Sequence, residues 1–390
     1  MLFIDYREVT MKKFPPFNLS RLIKTIFNPK KGETLCILID LENPHDIVDF
    51  AFLHHKNNEA QKKGFEVFYT GIRNTTMYEL QLAACDLYAY KMTGGSNLIL
   101  PDTAIDPKGN VVSMENDIYK KYDIILCIGT YSATAPLTET AKKMGFRGAT
   151  MHGVNDIILT SGLAVDYNEL SRETELLRQG MTKADFVDID FEVDKQSYHL
   201  HIDLDKQEAQ KSHGLCPQKP DVVNLPAGEV YFVPTNATGN LPVKFEEDGT
   251  LALMQVNQGK IDKISLIKGD QKMVDKYQAK FIEDPAAGVL GELGFGTQEY
   301  PYANADIQDE KIFGTFHIAT GRNDHLNGDV TFDKFKNWKN ATHDDILFSS
   351  TKTPEILVKS VKMMRNGKQE EIIKNYRPCP YLLNLLVKSS

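Results

Sequence analysis

The chain has 390 residues, more than one hydrophobic core usually holds, so two domains are expected. Its 42% hydrophobic and 25% charged residues exclude a disordered, collagenous or coiled-coil chain. A formal net charge of -8, with no run of Lys and Arg interleaved with aromatics, excludes nucleic acid as a partner.

The opening stretch MLFIDYREVTMKKF mixes charges among its apolar residues where a secretory leader needs an unbroken apolar run, and no apolar stretch long enough to span a membrane follows. The five cysteines are scattered without a Cys-x-x-Cys pair, which argues against a disulfide framework and a thiolate zinc site. A cytoplasmic protein with no membrane partner is expected. Leu19, Leu22, Ile23, Ile26 and Phe27 recur at helical spacing behind Asn18, an N-cap residue, and Pro29 ends the pattern, so an amphipathic helix precedes the first domain.

From Leu35 to Gly153, short apolar runs alternate with helix-like segments. LCILID, EVFYTGI, NLILPD and DIILCIGT read as buried strands, and PLTETAKKMG reads as a helix between strands. The pattern predicts an α/β domain with a parallel sheet over residues 1–185. Asp40-Leu41-Glu42-Asn43-Pro44 stands where a dinucleotide-binding fold carries its glycine-rich turn, so no such cofactor is expected. Gly129-Thr130-Tyr131-Ser132 follows a strand and opens a helix, which leaves a weak anion site open there. Asn168 to Gln179 is helix-prone. Beyond it the period changes to two in DFVDIDFEVD and SYHLHIDLD, and turn residues then separate short strands. Residues 186–390 are therefore expected to form a β-rich (α+β) metal-binding domain.

Candidate ligands lie in this second half. In THDDI, His343 and Asp345 are two apart and share a strand face. In TFHIA, the same parity sets His317 between small Thr315 and Ala319, with Phe316 and Ile318 on the other face. Glu292 lies in LGELGFGT, whose glycines weaken a strand unless something must approach closely. Glu229 follows the turn-like Leu225-Pro226-Ala227-Gly228 and begins the strand-like EVYFV. His199 and His201 read as a half-exposed strand, His54 and His55 as solvent-facing, and Asp309-Glu310-Lys311 as a solvated turn. His325 lies beside the candidate site without a role. No Gly-x-Ser-x-Gly elbow offers a nucleophile.

NLPAGEVYFVP, LGELGFGT, DEKIFGTFHIATGRND and THDD, in this order, resemble the aminopeptidase T family of metallopeptidases. The resemblance implies a homodimeric aminopeptidase acting on small peptides. It further implies two divalent ions (Zn, Co or Mn) held by Glu229, Glu292, His317, His343 and Asp345, with Glu229 or Glu292 as general base toward a metal-activated water. Where that family has a tyrosine, this chain has Asp324, expected to orient His317 through its free ring nitrogen. The same superfamily includes a dihydroxypyridine ring-cleaving dioxygenase with a single iron. That alternative implies Fe(II) on His317, His343 and Asp345, or Glu292, and a small-molecule substrate. A third reading is a degenerate metal-binding protein without peptidase activity.

Overall fold

The computed structural model describes residues 13–387, so most of the opening stretch read for a leader lies outside the described residues. Among the described residues, no helix is long and apolar enough to cross a membrane. All five cysteines are free and buried.

The expected amphipathic helix is Leu19–Phe27, capped by the Asn18 side chain, which accepts a hydrogen bond from the Arg21 N–H at 2.7 Å. Its Leu22, Ile23, Ile26 and Phe27 are buried against the first of three sheets. That sheet runs in the order Asp221–Asn224, Arg147–His152, Ile124–Gly129, Thr34–Leu41, Ala84–Lys91, Thr103–Ile105, Val111–Ser113. Its first five strands are parallel and its last two antiparallel. The first half is thus a mostly parallel α/β layer, completed by a strand from beyond residue 220.

Two expected strands are absent. EVFYTGI lies inside a continuous helical run over residues 59–79 with π-type turns. Phe68 and Ile72 are fully buried four residues apart, so the apolar run is one helix face, and Gly64 lets that face close on Ile39. NLILPD is an irregular connection in which Leu98 is buried and Ile99 exposed. The strand that pairs with Thr34–Leu41 is instead Ala84–Lys91, whose sequence ACDLYAYK is too mixed to show a clear period.

The second half holds two antiparallel sheets. An eight-stranded one runs from Lys260–Lys268 at one edge, through Gln196–Asp203 and Ala184–Val193, to Arg377–Pro378 at the other. A five-stranded one has the order His343–Phe348, Phe316–Gly321, Leu290–Gly296, Glu229–Phe232, Gln210–Ser212. Alternation gives this smaller sheet two unlike faces. Val230, Phe232, Leu293, Phe295, Phe316, Ile318 and Phe348 join one core with Val187, Ile189 and Phe191 of the larger sheet. Phe316 stacks on Phe348 at 4.9 Å, and Phe191 meets Phe348 at 5.3 Å. The other face carries the polar cluster described next.

Candidate metal centre

Cross-strand register brings the polar side chains together. Glu229 lies opposite Gly296, Gly294 opposite His317, and Glu292 opposite Ala319. Ala319 is also opposite Asp345, and Gly321 opposite His343. Each of these polar side chains therefore has glycine or alanine opposite it on one neighbouring strand, where a larger residue would fill the space it leans into. Gly294 shows this most sharply. A Cβ there would collide with the His317 ring and with the Glu229 carboxylate. Gly294→Ala is thus expected to displace His317 and weaken metal binding by about 10-fold or more, the scale of a disturbed ligand orientation, while the fold is kept. Metal titration of the variant against wild type measures it, and an unchanged affinity would refute this packing argument.

The five predicted ligands converge. His317 Nε2 lies 3.0 Å from Glu229 Oε1, 3.6 Å from Glu292 Oε1 and 3.8 Å from Asp345 Oδ1. His343 Nε2 lies 2.9 Å from Glu292 Oε2 and 3.3 Å from Asp345 Oδ1. Glu229, Glu292, His317 and His343 are buried, whereas the Asp345 side chain is 32% exposed and opens to the cavity. His343 Nδ1 donates to the Arg322 carbonyl at 2.6 Å, which turns its Nε2 toward the carboxylates.

The electrostatics call for a cation. Burial works against charge on His317 and His343, yet the surrounding Glu229, Glu292 and Asp345 outweigh it and raise both imidazoles well above their ordinary value. Burial likewise opposes the Glu292 carboxylate, but the two imidazoles hold it well below the usual range, and Asp345 is brought down to about 2. The cluster thus binds protons tightly where a metal would replace them. His317 Nδ1 is buried and has no hydrogen-bond partner among the described residues. Three groups of donors, Glu229–Glu292–His317, Glu292–His343–Asp345 and Glu310–His317–Asp345, are each close enough to hold a metal ion. Imidazole and carboxylate together suit a first-row transition metal.

Other expectations are corrected. Asp324 does not orient His317. Its carboxylate accepts from Arg322 Nε at 2.7 Å and Nη2 at 2.9 Å, and burial opposes its charge while neighbouring His325 and the guanidinium together hold it below the usual carboxylate range. Asp309, Glu310 and Lys311 are buried, not a solvated turn. The Asp309 carboxylate accepts from the Ala303 and Ala305 N–H groups, which fixes the loop. Lys311 Nζ reaches Glu229 Oε2 at 2.5 Å and Glu310 Oε1 at 2.6 Å. The anion site at Thr130 is filled from within, since the Thr130 and Tyr131 N–H groups donate to the buried Asp40 carboxylate. His199 and His201 pair with Asp188, Asp190 and Asp203 on the large sheet, away from the cluster.

Three residues with no expected role stand at the site. His325 packs edge-on against His343 at 4.9 Å between ring centres. Tyr231 shares the polar face, and His152 ends a parallel strand. All three or their neighbours line a cavity of about 1880 Å³ between the carboxyl ends of the parallel strands and the polar sheet face. His152 is kept neutral by burial, which lowers it to about 4.

This architecture has a solved counterpart. The fold is similar to that of 2,5-dihydroxypyridine dioxygenase from Pseudomonas putida KT2440, with a TM-score of 0.60 and 12% identity, over 93% of this chain and 97% of that one. No family model and no curated protein sequence matches the chain. The expected aminopeptidase T membership, and with it the peptide hydrolase, is therefore corrected. The whole-chain likeness is to a dioxygenase, and the short motifs that suggested a peptidase encode the glycine-lined sheet that aims the side chains.

Proposed function

We infer that the protein is a non-haem iron dioxygenase that opens the ring of a small hydroxylated aromatic. The observation that carries this reading is the donor set. Two imidazoles and a carboxylate, His317, His343 and Asp345, stand on one face of a sheet at the floor of a large cavity, in a fold resembling a ring-cleaving dioxygenase. Two histidines and one carboxylate are the ligand set of non-haem ferrous oxygenases. Ferrous iron held there would supply open positions for O₂ and substrate.

The protein's own groups prepare the site for that chemistry. Arg322 fixes His343 through its backbone carbonyl, and the His325 ring shields the outer side of the His343 ring. Asp345, the ligand most open to the cavity, marks the side from which substrate enters. Glu292 lies between both imidazoles and can hold a proton or a metal contact on either oxygen. Across the cavity, neutral His152 is placed to hydrogen-bond a substrate hydroxyl.

The test is oxygen consumption. After anaerobic loading with ferrous iron, the protein is expected to take up O₂ with 2,5-dihydroxypyridine or a related hydroxylated ring, with loss of the aromatic absorbance. No uptake across a panel of dihydroxylated pyridines and benzenes, by protein shown to hold iron, would reject the reading.

A further inference from the structure

The cluster contains donors for more than one cation. Glu292 turns Oε1 toward His317 and Oε2 toward His343, so the groups Glu229–Glu292–His317 and Glu292–His343–Asp345 share it as a bridge. A carboxylate with its two oxygens facing two separate donor groups is the arrangement that joins paired metals. Into one side of this arrangement the chain inserts an ammonium.

We propose that Lys311 is a built-in cation that takes the place of a second metal ion and so limits the site to one. Its side chain is 2% exposed, and its Nζ bonds the Glu229 oxygen that points away from His317 together with Glu310. The backbone that carries it is tied down. Its own N–H donates to the Gln308 carbonyl and its carbonyl accepts from the Gln298 N–H, both at 2.9 Å, and Gly296 lets this loop lie against the strand end.

Charge balance gives the reason. Four carboxylates, Glu229, Glu292, Glu310 and Asp345, surround the cluster. One ammonium and one divalent ion offset three of them. A second divalent ion would sit a few ångströms from a fixed positive charge with little solvent to screen it. Removing that charge frees both carboxylates and opens the second position, where His317 would pass to the second ion with Glu229 and leave His343, Asp345 and one Glu292 oxygen to the first. The inference deepens the single-iron reading above and rests on it.

The experiment counts manganese ions per folded chain in the full-length protein, by elemental analysis after equilibration and gel filtration, and by EPR. Wild type is expected to hold one ion with the signal of an isolated centre. Lys311→Ala is expected to hold two, with an exchange-coupled signal. Because that variant leaves two buried carboxylates uncompensated, Lys311→Ala with Glu310→Gln serves as a second form. It restores the charge balance and keeps the Glu229–Glu292–His317 group, and it too is expected to hold two ions. Two ions in wild type, or one in either folded variant, overturns the proposal. A folded wild type that binds none overturns the metal reading as well, whereas failure of the oxygen assay with one ion bound would leave Lys311's role standing.

Discussion

His343→Ala is expected to lower metal affinity by at least about 100-fold, the upper range for loss of a partner that only orients a ligand, and to abolish oxygen uptake. The reason is position. His343 Nε2 lies within 3.3 Å of both Glu292 and Asp345, and its other nitrogen is locked on the Arg322 carbonyl, so the ring is fixed at the centre of the cluster. The alanine also lies opposite Gly321, where nothing fills the space. Elemental analysis of metal-loaded protein and calorimetric titration measure the effect, with circular dichroism confirming the fold. A folded variant that keeps a full complement of metal would remove His343 from the site.

Arg322→Ala is expected to carry the largest cost in stability, about 3–5 kcal/mol, as when one partner of a buried ion pair is deleted. Arg322 is 1% exposed, although it extends across the junction of the two halves. It holds Asp324 with two hydrogen bonds, contacts Glu139 on the helix Thr134–Met144 at 3.2 Å, and donates to the Asn97 carbonyl at 3.4 Å. Alanine removes both hydrogen bonds from a half-buried guanidinium partner, Asp324, and cuts the tie between the two halves. Urea unfolding reads the loss directly, and a change under about 0.5 kcal/mol, typical of an inconsequential surface site, would contradict this account.

Much of the site could be read in the chain because strand parity is a strict rule. His343 and Asp345 on one face, His317 beside Ala319, and glycines around Glu292 all follow from period two, and the register then brings the strands together. Sequence could not show what faces them. Glu310 and Lys311 look like any charged turn until the loop is folded back against Gly296, and burial of a charge is decided by distant partners. The Asp324 carboxylate has an arginine two residues away that outcompetes the histidine seven residues away.

In the first half, short apolar runs were the source of error. EVFYTGI and LCILID both hold short apolar runs, but the first closes a helix face through Phe68 and Ile72 while the second is buried on both sides. A run of six or seven residues fits either period. The resemblance to a peptidase failed for a related reason. Glycine-containing strands with a following histidine describe how a sheet presents ligands, and a motif of that kind does not fix the chemistry performed there.

The strand Asp221–Asn224 lies outside Arg147–His152 in the parallel layer, although it is encoded well past the helix Tyr167–Met181. A fragment ending near residue 185 would lack it and would expose the backbone N–H and C=O row of Arg147–His152, a template for pairing with another molecule. Expressing the amino-terminal half alone would therefore yield self-associating material, and any circular permutant should keep the connection from residue 181 to 224 intact.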